Sequence, residues 1–477
     1  MSENNLRAQT KAGLYWKFAE KFTLYGVNFV IGIVMARLLS PSDFGISALP
    51  AVFLGISTVF ISAGFSDALV RKTDLKEEDL STAYLYSLSV GIVCYIIIFI
   101  ASPWIADFYN TPILKSLLRV SCLYFLYGSF GTPQRVLLKR RLDFKFLAKL
   151  SVISRLTSGV VGIVFAYLGY GVWSLIVSAI AADIINLLLL TFYVRWYPKV
   201  RWSKDSFKYL WGYGNKMIAS SLLDVTYRNI TPIFVGKFYS TADLGIYNRA
   251  RGYATLVTHS VFDVVKEVSF PVLSKIQNDT DRLIMNYRKM IKVTSFIVFP
   301  FAMLLAALAR PLVITLVTAK WEACIILLQI MCFSSMWHPV HALNLNILLV
   351  TGRTDLFFRL EVAKKIVGLI ILCSSLPFGL VAFCSAGIVS SIIMLFINTW
   401  YTGKYYHFGF KEQIKDLLPI LTLSFMTFLF VISIIQFIHN MLLQIFLGGV
   451  LGSILYMGGA YLFKFKELDE IKYLIKR

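Results

Sequence analysis

"ARLLSPSDFGI", residues 36–46, returns as "GKFYSTADLGI", residues 236–246. At an offset of 200, Ser40 meets Ser240, Asp43 meets Asp243, Gly45 meets Gly245 and Ile46 meets Ile246, while Arg37 meets a second base, Lys237. The echo continues in order. "LLRVSCL" (117–123) matches "LLQIMCF" (327–333) at 210, and "RLDF" (141–144) resembles "RTDLF" (353–357) at 212. Three matches in one order, with small insertions between them, mark an internal duplication. The phrase itself has the chemistry of a turn into a helix. Ser and Asp accept hydrogen bonds from the free N–H groups of a helix start, and Gly lets the chain bend.

Composition says where such a duplication resides. Of 477 residues, 57% are hydrophobic and only 15% charged, with a mean hydropathy of +0.70. Runs such as "YSLSVGIVCYIIIFIA" (86–101) and "TSFIVFPFAMLLAALA" (294–309), with a few flanking residues, reach the roughly 20 needed to cross a bilayer core. An open sheet leaves its backbone unsatisfied in lipid, and the alternation of a barrel is missing, so the runs are helices. Residues 1–13 are polar, and the apolar stretch after them is too long for a leader and lacks a cleavage site, so it is the first span. Spans are expected at about 14–36, 45–66, 81–101, 113–131, 147–168, 171–193, 211–236, 244–266, 292–309, 323–350, 360–377, 380–400, 417–437 and 441–463.

The net charge of +21 is distributed as in a membrane protein, not as in a nucleic-acid binder. With the N-terminus inside and spans alternating, the inner segments hold 35 Lys and Arg against six toward the outside. That asymmetry places both termini in the cytoplasm and faces the bases toward anionic headgroups. The expected fold is an all-α polytopic membrane protein of about fourteen transmembrane helices. Residues 1–200 form one six-helix lobe, 201–401 a second, and 402–477 two additional helices and a cytoplasmic tail. Six spans per copy make the repeats parallel, two bundles facing each other across a cleft suited to alternating access.

Polar groups inside spans are costly in lipid and mark a transporter's working positions. Lys17, Lys21 and Asn28 share one face of the first span; Asp224 and Arg228 are i, i+4 in the seventh and can pair; Arg251 heads a polar stripe in the eighth, with Asp263 and Glu267 beside it. In the register of 200, Asn28 faces Arg228 and Ala51 faces Arg251, so the second copy is charged where the first is neutral. Lys21, Arg228 and Arg251, with Asn28 and Lys17, are therefore the candidate substrate-binding residues. Asp224, Asp263 and Glu267 are candidate counter-ions or coupling-ion sites. Arg119, Arg155 and Asp183 stand as isolated candidates.

Other motifs carry less. Asp279-Thr280-Asp281 has the form of a metal-holding DxD but lies in a short loop. His338 and His341 lack further ligands. The six cysteines, in or near apolar spans, show no CxxC spacing. No P-loop occurs. No metal, cofactor or catalytic residue is expected, and the chain reads as a non-enzyme.

"ARLLSPSDFGI", "GFSDALVRKTDL" (64–75), "LKRRLDFK" (138–145), "FPVLSKIQNDTDRL" (270–283) and "LLVTGRTDLFFRL" (348–360) together resemble the Wzx-type polysaccharide exporters. Their colanic-acid-exporter-like branch lies within the multidrug/oligosaccharidyl-lipid/polysaccharide superfamily. The resemblance runs over nearly the whole chain. It implies a flippase of the bacterial inner membrane, moving oligosaccharide repeat units on undecaprenyl diphosphate from the cytoplasmic to the periplasmic face. The product would be lipopolysaccharide, capsule or exopolysaccharide. It implies a cationic central cavity, coupling to an ion (H+ or Na+) or to the membrane potential, and work beside a polymerase and a chain-length regulator, with no nucleic acid. Guanidinium groups suit the diphosphate. The competing expectations are a cation-coupled multidrug exporter of the same superfamily, which would favour acidic sites, and a non-transporting scaffold of a glycan assembly complex, for which the inner loops are short.

Overall fold

A computed structural model describes residues 3–199 and 201–475, apart from the side chains of 3–15, 18, 257, 259–268, 271 and 472–475. The described chain is helical throughout and divides into two compact units, Met1–Gly245 and Ile246–Arg477.

The first unit contains α1 (Glu3–Leu38), α2 (Pro41–Ser62), α3 (Phe65–Arg71), α4 (Glu77–Phe108), α5 (Leu114–Ser121), α6 (Tyr124–Arg140), α7 (Phe144–Tyr167), α8 (Val172–Val194) and α9 (Lys204–Phe238). It ends within the first turns of α10 (Thr241–Lys275). The unit reaches past the repeat boundary near 200 because α9 packs on α2, α3 and α4. The second unit contains the rest of α10, then α11 (Thr280–Ala307), α12 (Ala309–Val317), α13 (Cys324–Ser335), α14 (His338–Val350), α15 (Thr354–Ser375), α16 (Gly379–Tyr406), α17 (Phe410–Ile435), α18 (Met441–Leu462) and α19 (Lys466–Ile475).

Ten segments among the described residues are long and apolar enough to cross a membrane. The other expected spans fall on helix too. The pair α9 and α10, 35 residues each, are too polar along their length. The span expected at 113–131 is broken at Cys122 and Leu123, between α5 and α6. The apolar faces point outward as a lipid solvent requires: on α4, Val93, Ile96, Ile97, Ile100 and Trp104 are each at least half exposed. In water that stripe would be an aggregation surface.

Both copies of the repeated phrase build the same helix start. The Ser40 amide and hydroxyl donate to the Asp43 carboxylate at 2.9 and 2.6 Å, and the Asp43 amide donates to Ser40 Oγ at 3.2 Å. Ser240 and Asp243 repeat this at 3.1, 2.7 and 3.0 Å. These reciprocal caps satisfy amides that have no partner within a helix. The two starts then pack on each other inside the first unit. A Cβ on Gly45 would overlap the Thr241 carbonyl oxygen, and one on Gly245 would overlap that of Pro41. The Ser42 and Thr241 hydroxyls share a hydrogen bond of 2.8 Å.

Other stretches singled out in the sequence are joints as well. Arg140, from "LKRRLDFK", donates to the carbonyls of Leu69, Val70, Lys72 and Thr73 in "GFSDALVRKTDL". Asp143 caps α7 through the Phe146 amide and accepts from the Tyr193 hydroxyl at 2.8 Å. Asp279, the first acid of the DxD triplet, caps α11 through the Arg282 amide at 3.1 Å, which gives that triplet a structural role. In the second unit, α11 packs against α13, α14 and α17. There Tyr287, Asn344 and Gln413 form a buried polar knot. The Tyr287 hydroxyl donates to Asn344 Oδ1 at 2.6 Å, and Asn344 and Gln413 exchange two amide bonds of 2.9 Å.

Candidate functional site

The polar side chains expected to work within the spans are distributed over both units. In the first, α1 carries Lys17, Lys21 and Asn28. Lys17 is exposed and lies over the Phe144 ring, 4.7 Å from its centroid. Lys21 is half-buried one turn further along. Asn28 Oδ1 accepts from Arg155 Nε. Arg155 in turn lies in the field of Asp183 on α8, which also feels Arg135 on α6. Arg135 donates to Asn186 Oδ1 at 2.7 Å. Arg155 and Asp183 are thus not isolated, as the sequence suggests, but parts of one constellation with Asn28. Four helices supply it, so no spacing along the chain announces it.

On α9, Arg228 Nε pairs with Asp224 Oδ2 at 2.8 Å, as the i, i+4 spacing predicts. The side chains are 73% and 48% exposed, which leaves most of the guanidinium open to a ligand. Solvent or ligand access of this order also makes the pair a weak stabiliser, under about 1 kcal/mol. In the second unit, Arg251 is exposed on α10, and the Thr255 hydroxyl donates to its carbonyl at 2.7 Å. Asp263 and Glu267 lie on the same helix, with side chains outside the described residues.

The candidate Arg119, and His341 of the weaker histidine pair, have structural surroundings. Arg119 donates through Nε to Ser102 Oγ at 2.9 Å and lies 4.0 Å from the centroid of the Phe99 ring. His341 Nδ1 is 3.3 Å from the Asn398 amide nitrogen. The chemistry that the open positions offer is recognition. Arg228 and Arg251 present planar guanidiniums, each suited to two parallel bonds with a phosphate or carboxylate.

Comparison with known proteins then places the chain. The sequence profile of the polysaccharide biosynthesis protein family matches residues 34–326. The chain belongs to that family. The matched region contains both copies of the repeated phrase and Asp224, Arg228, Arg251, Asp263 and Glu267, while Lys17, Lys21 and Asn28 lie before it. Among relatives, the chain is 24% identical over 366 residues to the lipopolysaccharide biosynthesis protein WzxC of Escherichia coli (strain K12), covering 76% of this chain and 74% of that one. It is 23% identical over 364 residues to the teichuronic acid biosynthesis protein TuaB of Bacillus subtilis (strain 168), covering 74% of each. Its fold is that of the lipid II flippase MurJ in an inward closed conformation, with a TM-score of 0.75 at 16% identity over 94% of this chain and 98% of that one. This polysaccharide biosynthesis protein is a multi-pass membrane protein.

Proposed function

We propose that the protein is a flippase that moves oligosaccharide repeat units on undecaprenyl diphosphate from the cytoplasmic to the periplasmic face of a bacterial inner membrane. The observation that carries this reading is the combination of family membership with a fold shared, over nearly the whole chain, with the solved lipid II flippase MurJ. Transport proceeds by alternating access of two six-helix halves, 1–200 and 201–401, and the protein itself makes or breaks no covalent bond. Both termini are cytoplasmic, in keeping with the 35 to six division of basic residues.

Lys21, Arg228 and Arg251 face the diphosphate, with Lys17 and Asn28 beside them. Asp224, Asp263 and Glu267 act as counter-ions or as the site of a coupling H+ or Na+. A polymerase and a chain-length regulator receive the product. The basic balance of these positions supports an anionic substrate over the organic cations that a drug exporter would carry.

Deletion of the gene followed by lipid extraction tests the proposal. Lipid-linked repeat units should accumulate on the inner leaflet, and surface polysaccharide should be lost. Normal surface polysaccharide with no accumulated precursor would overturn it.

A further inference from the structure

Residues 195–203 join α8 to α9 and carry the chain from the first copy of the repeat into the second. On α8, Ile184, Leu188 and Phe192 are exposed at intervals of four, an apolar stripe that ends just before Arg195. From there to residue 216 the character reverses. Arg195, Lys199, Arg201, Lys204, Lys208 and Lys216 stand against a single acid, Asp205, and all seven are exposed. The excess is five positive charges. None of the six basic side chains has an ion-pair or hydrogen-bond partner among the described residues.

Other bases of the chain are neutralised. Lys72 meets Asp79 at 2.7 Å, Lys289 meets Glu470 at 2.9 Å and Lys292 meets Glu467 at 2.8 Å. At the start of α17, Lys411 and Lys415 alternate with Glu412 and Asp416. The inward bias of basic residues is therefore spread over the chain, whereas uncompensated charge is concentrated at this joint.

The joint is also firmly seated. Trp196 Nε1 donates to Glu77 Oε1 at 2.8 Å, Gln134 Nε2 donates to the Trp196 carbonyl at 3.1 Å, and the Ser203 amide donates to Thr82 Oγ1 at 3.1 Å. Beyond it, Lys204, Lys208 and Trp211 fall at i, i+4 and i+7 on one face of α9. Trp202 and Trp211 are 50% and 39% exposed, and both pack on Phe207, with ring centroids 5.2 and 5.7 Å apart. Indole rings held at the edge of an apolar stripe, beside free ammonium groups, match the headgroup level of a bilayer. There the ring sits in the interface and the charge among phosphates.

We propose that this joint is a binding surface for anionic phospholipid, with headgroup phosphate on Lys204 and Lys208 and the glycerol region against Trp202 and Trp211. A zwitterionic headgroup brings its own cation and leaves the excess in place. The bound lipid ties the connection between the two copies to the headgroup plane. The proposal does not depend on what the protein transports.

The test uses the full chain in detergent micelles, titrated with phosphatidylglycerol and read by native mass spectrometry. The double variant Lys204→Gln/Lys208→Gln should weaken binding at least about tenfold, because each base near the surface adds to the attraction. Lys204→Arg/Lys208→Arg should retain it, and Lys411→Gln/Lys415→Gln should leave it unchanged. Thermal unfolding of each variant identifies any loss due to misfolding, in which case the Lys208→Gln single variant takes the place of the double one. Undiminished binding in the folded variant overturns the proposal. So does an equal loss in the Lys411 and Lys415 variant, which would mark a response to total charge. Equal retention of phosphatidylcholine, or displacement of the probe by an equal concentration of inorganic phosphate, would overturn it as well. The first would mark a contact indifferent to headgroup charge and the second a free-anion site.

Discussion

Gly45 and Gly245 lie against each other where α2 and α10 begin, each with its α-carbon pressed toward the backbone of the other copy of the repeated phrase. An ideal Cβ on Gly45 would sit 3.0 Å from the Gly245 nitrogen, and one on Gly245 would sit 3.0 Å from the Gly45 nitrogen. The contact is backbone to backbone, so no side-chain rotation relieves it.

Gly45→Ala and Gly245→Ala should therefore each destabilise the protein by about 1–3 kcal/mol, the usual cost of overpacking a tight contact. Gly252→Ala, on α10 with open space where its Cβ would fall, should be neutral or stabilising by up to about 1 kcal/mol through helix propensity. Thermal unfolding in detergent compares the three. Equal melting temperatures for Gly45→Ala and the parent would show that the two helix starts are not in contact.

The caps beside these glycines should act independently of the glycine contact. Ser40→Ala and Ser240→Ala each remove a reciprocal pair of bonds and should cost about 0.5–2 kcal/mol. Hydrogen exchange should quicken in the first turn of α2 for one and of α10 for the other. Unchanged protection in both would contradict the capping geometry.

Arg140 answers four carbonyls with one fork, closing the end of α3. Arg140→Gln should cost roughly 1.5–3 kcal/mol, as for hydrogen bonds to a charged group. Arg140→Lys should restore only part of it, because an ammonium cannot span the same set of acceptors. Full rescue by lysine, measured by unfolding, would assign the effect to charge alone.

The buried knot of Tyr287, Asn344 and Gln413 predicts strong coupling. Gln413→Leu strands the buried amide of Asn344, at a cost of about 1–3 kcal/mol. A double-mutant cycle with Asn344→Leu should return much of that loss, since both partners of the exchanged bonds are then gone. Strict additivity of the two substitutions would contradict the network.

Arg228 separates stability from function. Its pair with Asp224 is largely exposed, so Arg228→Gln should change stability by less than about 1 kcal/mol. Export of surface polysaccharide should nevertheless fall at least tenfold at normal membrane abundance. Native export would remove Arg228 from the proposed site, and the same measurement on Arg251→Ala tests its counterpart.

Solvent and element type are legible along the chain alone. Apolar runs of span length with few charges admit only helices, because lipid offers no partner to an unpaired backbone group. The duplication, the pairing of Asp224 with Arg228 and the local caps are legible too, since all of these are read from neighbours along one chain. What meets across helices follows from the packing. Nothing in the spacing of Asn28, Arg155 and Asp183 joins them, and nothing in "LKRRLDFK" says that Arg140 closes a helix near residue 70. The repeated phrase shows the division most plainly. Its Ser and Asp were legible as helix starts, because a cap acts over three residues. That its two glycines pack on each other was decided only by folding, because close approach of two backbones depends on where distant helices cross.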